Sequence, residues 1–224
     1  WQDYTHLDPT ANELHADIGN LYTLKKGGVV VRRQYDHATG KFTLPRKLEA
    51  KRLIIFEGLH SLFLGTVRKA LDLKIYVAPE DQLRLHWKVI RDSEKRGYTK
   101  EQTLAILEKR KDDSEKFIVV QEKHSDIVVS LRNSFSLGKG LGEKDTKTDL
   151  SLFMTCSNSI DLQPLLNYLI PFFAIDYLIY DEKQRIKFTG EIHKNEVKKI
   201  AENLFPELDT IITGGSIWES DYQG

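Results

Sequence analysis

Arg52-Leu53-Ile54-Ile55-Phe56-Glu57-Gly58 sets an unbroken apolar run against a carboxylate and a glycine. A run without polar alternation that stops at a turn signal is the pattern of a strand buried on both faces in a parallel sheet. Leu73-Lys74-Ile75-Tyr76-Val77-Ala78 and Ser125-Asp126-Ile127-Val128-Val129-Ser130 read the same way. Helical stretches, expected over residues 59–70, 80–96 and 100–121, separate the three runs. Strands alternating with helices require right-handed crossovers and a sheet covered by helices on both faces. The expected class is therefore α/β.

Upstream, Leu14, Ile18, Leu21 and Leu24 recur at helical spacing, and Gly27-Gly28 stand where a helix would stop. Short strands are expected at residues 29–31 and 41–44, forming a small hairpin or clamp around Tyr35-Asp36-His37 and Gly40. Downstream, residues 134–149 are rich in glycine and lysine and read as a linker. Strands at 150–155, 177–180 and 185–189, with a turn over Asp181-Glu182-Lys183-Gln184, precede a helix at 195–204. The expected organisation is an α/β part at 1–133, a linker at 134–149 and a small C-terminal α+β unit at 150–224. That last part is either a subdomain or an elaboration of the same sheet.

Bulk properties remove several classes of function. Lys plus Arg and Asp plus Glu balance at 33 each, with the basic residues interleaved among acids. No stripe of positive charge points to nucleic acid or an anionic membrane as partner. Cys156 stands alone, so no disulfide forms within the chain. No apolar run approaches the length of a membrane span, and a cytoplasmic location is the default expectation. The chain opens at Trp1 without a methionine, which suggests a piece of a longer chain.

Three clusters are candidates for chemistry. Glu57-Gly58 would end a buried strand, where ligands of open α/β sheets sit, and a carboxylate there suits Mg²⁺. The competing reading is a carboxylate at a helix start. Arg91 and Arg96, five residues apart near a helix end, suit a transferring phosphoryl group; a solvated charged face is the alternative. Tyr35, Asp36 and His37, with Arg32 and Arg33 upstream, offer hydrogen bonds to a polyhydroxylated substrate and charge for a phosphate on it. A polar surface turn would look similar. The histidines lack metal-ligand spacing, and no nucleophile–base triad is present.

Taken in order, these segments resemble the phosphoribulokinase/uridine kinase family. The matching stretches are Tyr35-Asp36-His37, Ile54-Ile55-Phe56-Glu57-Gly58-Leu59, Leu71 to Val77, Arg91-Asp92 with Lys95-Arg96-Gly97, and His124 to Val129. The resemblance implies a P-loop kinase that moves the γ-phosphate of ATP to a hydroxyl of a sugar, sugar phosphate or nucleoside, with Mg²⁺ at the phosphates. By position, Tyr35, Asp36, His37, Arg32 and Arg33 would bind the acceptor, Glu57 would support the metal, and Arg91 and Arg96 would clamp phosphates.

The family's phosphate-binding loop is missing, since Gly-x-x-x-x-Gly-Lys-Ser/Thr occurs nowhere in the 224 residues. In the family that loop precedes the matching region. The expectation is a kinase-like chain that is incomplete and weak or inert alone, with an active parent. The alternative is a non-catalytic ligand-binding or assembly module of the same origin. A homo-oligomer is left open.

Overall fold

The computed structural model describes residues 4–36, 39–133 and 150–204. The chain divides into two compact units, residues 1–72 with 201–224, and residues 73–200.

In the first unit, α1 (Leu14–Lys25) forms where the apolar spacing placed it and buries Leu21 and Leu24. β1 (Val29–Arg32) pairs antiparallel with β4 (Arg46–Glu49), in register from Val29↔Glu49 to Arg32↔Arg46. Inside that hairpin, β2 (Tyr35–Asp36) pairs with β3 (Lys41–Phe42). The result is a long arm whose β4 is exposed along its whole length. α2 (Gly65–Ala70) is shorter than expected; residues 59–64 form turns instead, whose Leu62 and Phe63 carbonyls accept from the Arg68 guanidinium at 2.8 and 2.7 Å. Lys25 donates to the Ala70 carbonyl at 2.6 Å and pairs with Asp72 at 2.7 Å, satisfying an orphan acceptor at the end of α2. Leu21, Val67 and Ala70 form a small core, with Ile18, Phe56, Leu64 and Leu71 packed on it.

Residues 52–58 do not form the buried strand expected of them. Leu53, Ile54 and Ile55 are 55, 36 and 81 % exposed, and only Phe56 reaches the small core. A strand exists through its ladder, and among the described residues no strand pairs with this run.

The second unit is built on a five-stranded sheet in the order β5-β6-β7-β9-β8. β5 (Ile75–Val77) and β6 (Ile127–Asn133) are the parallel pair, and α3 (Asp81–Arg96), α4 (Lys100–Lys109) and the single turn α5 (Lys111–Asp113) lie in the connection between them. Asp126 fixes that pairing. Its carboxylate takes the Lys74 N–H and ammonium, both at 2.8 Å, while its own N–H donates to the Lys74 carbonyl. The long helix expected to reach residue 121 stops at α5 and continues as a π-helical turn, Ser114–Ile118, and a 3-10 stretch, Val119–His124.

β7 (Leu150–Ser157), β8 (Ala174–Ile179) and β9 (Lys183–Thr189) extend the same sheet through antiparallel pairings. α6 (Gln163–Leu169), unread in the sequence, places Leu166 in the core with Ile127, Cys156, Leu162, Ile186 and Phe188. β9 alternates, with Gln184, Ile186 and Phe188 inward. Gln184 is the polar exception and is satisfied: its amide donates to the Ser157 and Ile160 carbonyls, and its oxygen accepts from Tyr177. α7 (Lys194–Leu204) ends the described residues. No described helix is long and apolar enough to cross a membrane.

Ile186 and Phe188 are 0 and 2 % exposed at the centre of this core. Phe188→Ala should therefore destabilise the second unit by about 3–5 kcal/mol, measured as a lowered urea midpoint by circular dichroism. Lys187→Ala, on the opposite face of β9, should shift it by no more than about 0.5 kcal/mol.

Candidate functional site

In the first unit, the β2–β3 tip holds Tyr35 and Asp36. The Tyr35 ring stands edge-on to Phe42 at 5.4 Å, and the Asp36 carboxylate accepts from the Thr39 hydroxyl at 2.7 Å. Gly40 turns the tip, its N–H donating to the Asp36 carbonyl. Arg32 reaches Asp17 on α1 at 3.0 Å, and Arg33 is exposed beside it. His37 lies outside the described residues.

Glu57 lies in an extended segment rather than at a strand end, and is exposed. Gly58 follows with φ +152°, a backbone that side chains disfavour, and turns the chain into the His60 turn. Glu57, His60 and Ser61 line a pocket of about 160 Å³ with Asn12 and Asp17 of the α1 region. His60 is 7 % exposed. Burial pushes its imidazole below the ordinary histidine range, against weaker pulls from the His6 backbone and Asp8.

In the second unit, the charges of α3 converge on one carboxylate. Lys88, Asp92 and Arg96 are spaced four apart and share a helix face. Asp92 is 1 % exposed. Its Oδ2 accepts from Lys88 at 3.0 Å; its Oδ1 accepts from Arg91 Nε at 3.0 Å and Nη2 at 2.8 Å, and lies 3.6 Å from Arg96. Arg110, at the end of α4, is close enough to feel the Asp92 charge. Burial raises the Asp92 carboxyl, but the hydrogen bonds and charges of Lys88 and Arg91 outweigh it and hold the group below the usual carboxylate range. Burial pulls Lys88 down, opposed by Asp92. One carboxylate facing four cations leaves an excess of positive charge, carried by guanidinium groups still half exposed. Such a surface suits a multiply charged anion.

Gly97 (φ +67°) ends α3, its N–H bonding to Ser93 while that of Tyr98 bonds to the Asp92 carbonyl. Thr99 then opens α4 with a capping box to Gln102, so the turn between the helices is fixed at both ends.

The structure thus gathers Arg91 and Arg96 on Asp92, and places Tyr35, Asp36 and Arg32 on the arm with Glu57 in the pocket of the same unit. Sequence reasoning missed Lys88, Asp92 as the centre of its cluster, and His60 as a pocket residue. A signal for Asp92 existed: it continues the Leu83, His86, Val89 stripe at three-residue intervals. A lone charge on such a stripe must be paired. Among the described residues, no group of three His, Cys, Asp or Glu side chains is arranged to hold a metal ion.

Comparison with known proteins gives one consistent picture. The family model described as "Phosphoribulokinase / Uridine kinase family" matches residues 1–134. The chain is 34 % identical over 127 residues to the phosphoribulokinase of Synechocystis sp., covering 57 % of this chain and 38 % of that protein. It is 32 % identical over 127 residues to the chloroplastic phosphoribulokinase of Spinacia oleracea, covering 57 % and 32 %. It is 34 % identical over 131 residues to a uridine kinase of Staphylococcus epidermidis, covering 57 % and 61 %. The chain thus spans 38 % or less of the length of these two phosphoribulokinases. The solved phosphoribulokinase from Rhodobacter spheroides superposes with a TM-score of 0.68 at 22 % identity, over 93 % of this chain and 76 % of that one. The α/β fold read from the sequence is the fold the chain shares with that kinase.

The arrangement at Asp92 makes a stability prediction with a definite sign. Its native carboxyl titrates lower than in the unfolded chain, so its contribution is complete above the ordinary aspartate value and is lost as pH falls through the lowered native one. Asp92→Asn should cost about 1–3 kcal/mol at neutral pH, mainly through Lys88, because the Arg91 and Arg96 guanidinium groups stay half exposed. Urea midpoints measured from neutral to acid pH should converge for the two proteins, because acid removes the charge that the variant already lacks.

Proposed function

The chain belongs to the phosphoribulokinase/uridine kinase family, and on that premise we propose that the whole protein transfers the γ-phosphate of ATP to a hydroxyl of a sugar, sugar phosphate or nucleoside. The observation that carries the reading is the cation cluster on buried Asp92: its half-exposed guanidinium groups are held where they can meet an anion, and phosphates in transfer are the anions this family handles. The phosphoribulokinases among the relatives favour a sugar phosphate as acceptor.

In this reading each unit has its own task. Arg91 and Arg96 stabilise negative charge on the phosphoryl group, with Asp92 and Lys88 holding their geometry. Tyr35, Asp36, His37, Arg32 and Arg33 recognise the acceptor from the arm. Arg32 is committed to Asp17, so a phosphate ester would compete with that carboxylate for the guanidinium. Glu57 fits Mg²⁺, being an exposed hard-oxygen donor just before the Gly58 turn. The ion, when bound beside Glu57, would neutralise phosphate charge.

The alternative reading is a kinase-derived ligand-binding or assembly module of the same family. Transfer from radiolabelled ATP by the whole protein to pentoses, pentose phosphates and nucleosides separates the two. Labelled product supports the kinase; ligand binding without labelling of any acceptor supports the module. For an active protein, Arg91→Gln and Arg96→Gln should each lower kcat about 100-fold or more. Lysine at either place should restore activity only in part, because it cannot form a planar fork.

A further inference from the structure

We infer that the outer edge of β8 is the surface through which two copies of this chain pair, each β8 running antiparallel to the other about a two-fold axis at Tyr177. This contact stands apart from the proposed phosphoryl transfer.

β8 closes the β5-β6-β7-β9-β8 sheet, and among the described residues no strand pairs with its outer side. Open edges are normally blunted by lysine, proline, a bulge or shortness. β8 has none of these: Ala174-Ile175-Asp176-Tyr177-Leu178-Ile179 pairs with β9 in unbroken register from Ala174↔Thr189 to Ile179↔Gln184. Its side chains are apolar apart from Asp176 and open to water. Tyr177, Leu178, Ile179 and the following Tyr180 are 47, 53, 67 and 54 % exposed. An apolar edge of this kind is a template for another strand.

The backbone selects a second copy as that strand. The Tyr180 N–H donates to the Lys183 carbonyl at 2.7 Å, so at alternate residues back from it, Leu178, Asp176 and Ala174, the backbone groups turn towards β9. Ile175, Tyr177 and Ile179 therefore send N–H and C=O outward. Antiparallel pairing centred on Tyr177 sets Tyr177 against its own copy and Ile175 against Ile179, so each outward donor meets an outward acceptor. Moving the axis to Asp176 would place like carboxylates opposite each other. Moving it to Leu178 would bring Ile175 opposite Asp181, past the end of the strand. The Tyr177 register uses the whole edge and sets Asp176 against Leu178. The Tyr177 ring is already fixed by the bond from its hydroxyl to Gln184 at 2.6 Å, which lowers the cost of ordering it at a contact. β5, at the other edge, is three residues long, and joining β8 of one copy to β5 of the next would propagate without closing. The two-fold contact closes at a dimer.

Sedimentation velocity of the 224-residue protein over a range of concentrations should show a reversible monomer–dimer equilibrium. Amide hydrogen exchange resolved by NMR should find Ile175, Tyr177 and Ile179 protected in the dimer and exchanging about tenfold faster or more on dilution, with Asp176 and Leu178 protected throughout. Ile179→Lys should weaken the dimer about tenfold or more, because each contact carries the change twice. Ile179→Pro, which removes an outward donor and leaves the β9 ladder its bonds, should do the same. A protein that stays monomeric up to roughly 1 mM would overturn the assignment. So would growth beyond two copies, a dimer that Ile179→Lys leaves equally tight, or a dimer whose outward amides exchange freely. If neither variant folds, the alternating exchange pattern of the unsubstituted chain decides.

Discussion

A single carboxylate removed from water organises the charged end of α3. Asp92 is buried to a degree that an isolated ion could not tolerate, and it stays ionised because Lys88 and Arg91 donate to it directly. The constraint works in both directions. The carboxylate needs its cations, and the cations are held at fixed positions with more positive charge than one carboxylate cancels. A side chain as long as arginine otherwise samples many rotamers, and fixing it in advance lowers the cost of meeting an anion. The Gly97 turn and the Thr99 capping box extend the same rigidity into the start of α4.

The first unit carries a smaller pocket with a different lining. Asn12, Asp17, Glu57, His60 and Ser61 line it together with Leu14, Phe56, Leu64 and Val67, and Asp17 is paired with Arg32.

Much of the fold was legible where local pattern and tertiary packing agree. The periodic leucines of α1, the β-branched run of β1 and the apolar stripe of α3 each matched their elements closely. β4 went unread because Arg46-Lys47-Leu48-Glu49 has neither alternation nor apolar content; its strand state comes wholly from pairing with β1. Helix 100–121 was read as continuous because π and 3-10 turns keep nearly the same spacing of apolar residues. Residues 52–58 failed in the other sense, with strong strand propensity and no described partner.

The sequence by itself determined the α/β class, the order of the family's motifs, and the candidates Tyr35, Asp36, Glu57, Arg91 and Arg96, because residue type and spacing along one element carry that information. Only the tertiary structure decided that Arg91, Lys88 and Arg96 converge on a buried Asp92, and that His60 is buried at the pocket beside Glu57. Burial and the pairing of charges are set by which elements pack together, and a chain read one residue at a time does not contain the dielectric around any of its side chains.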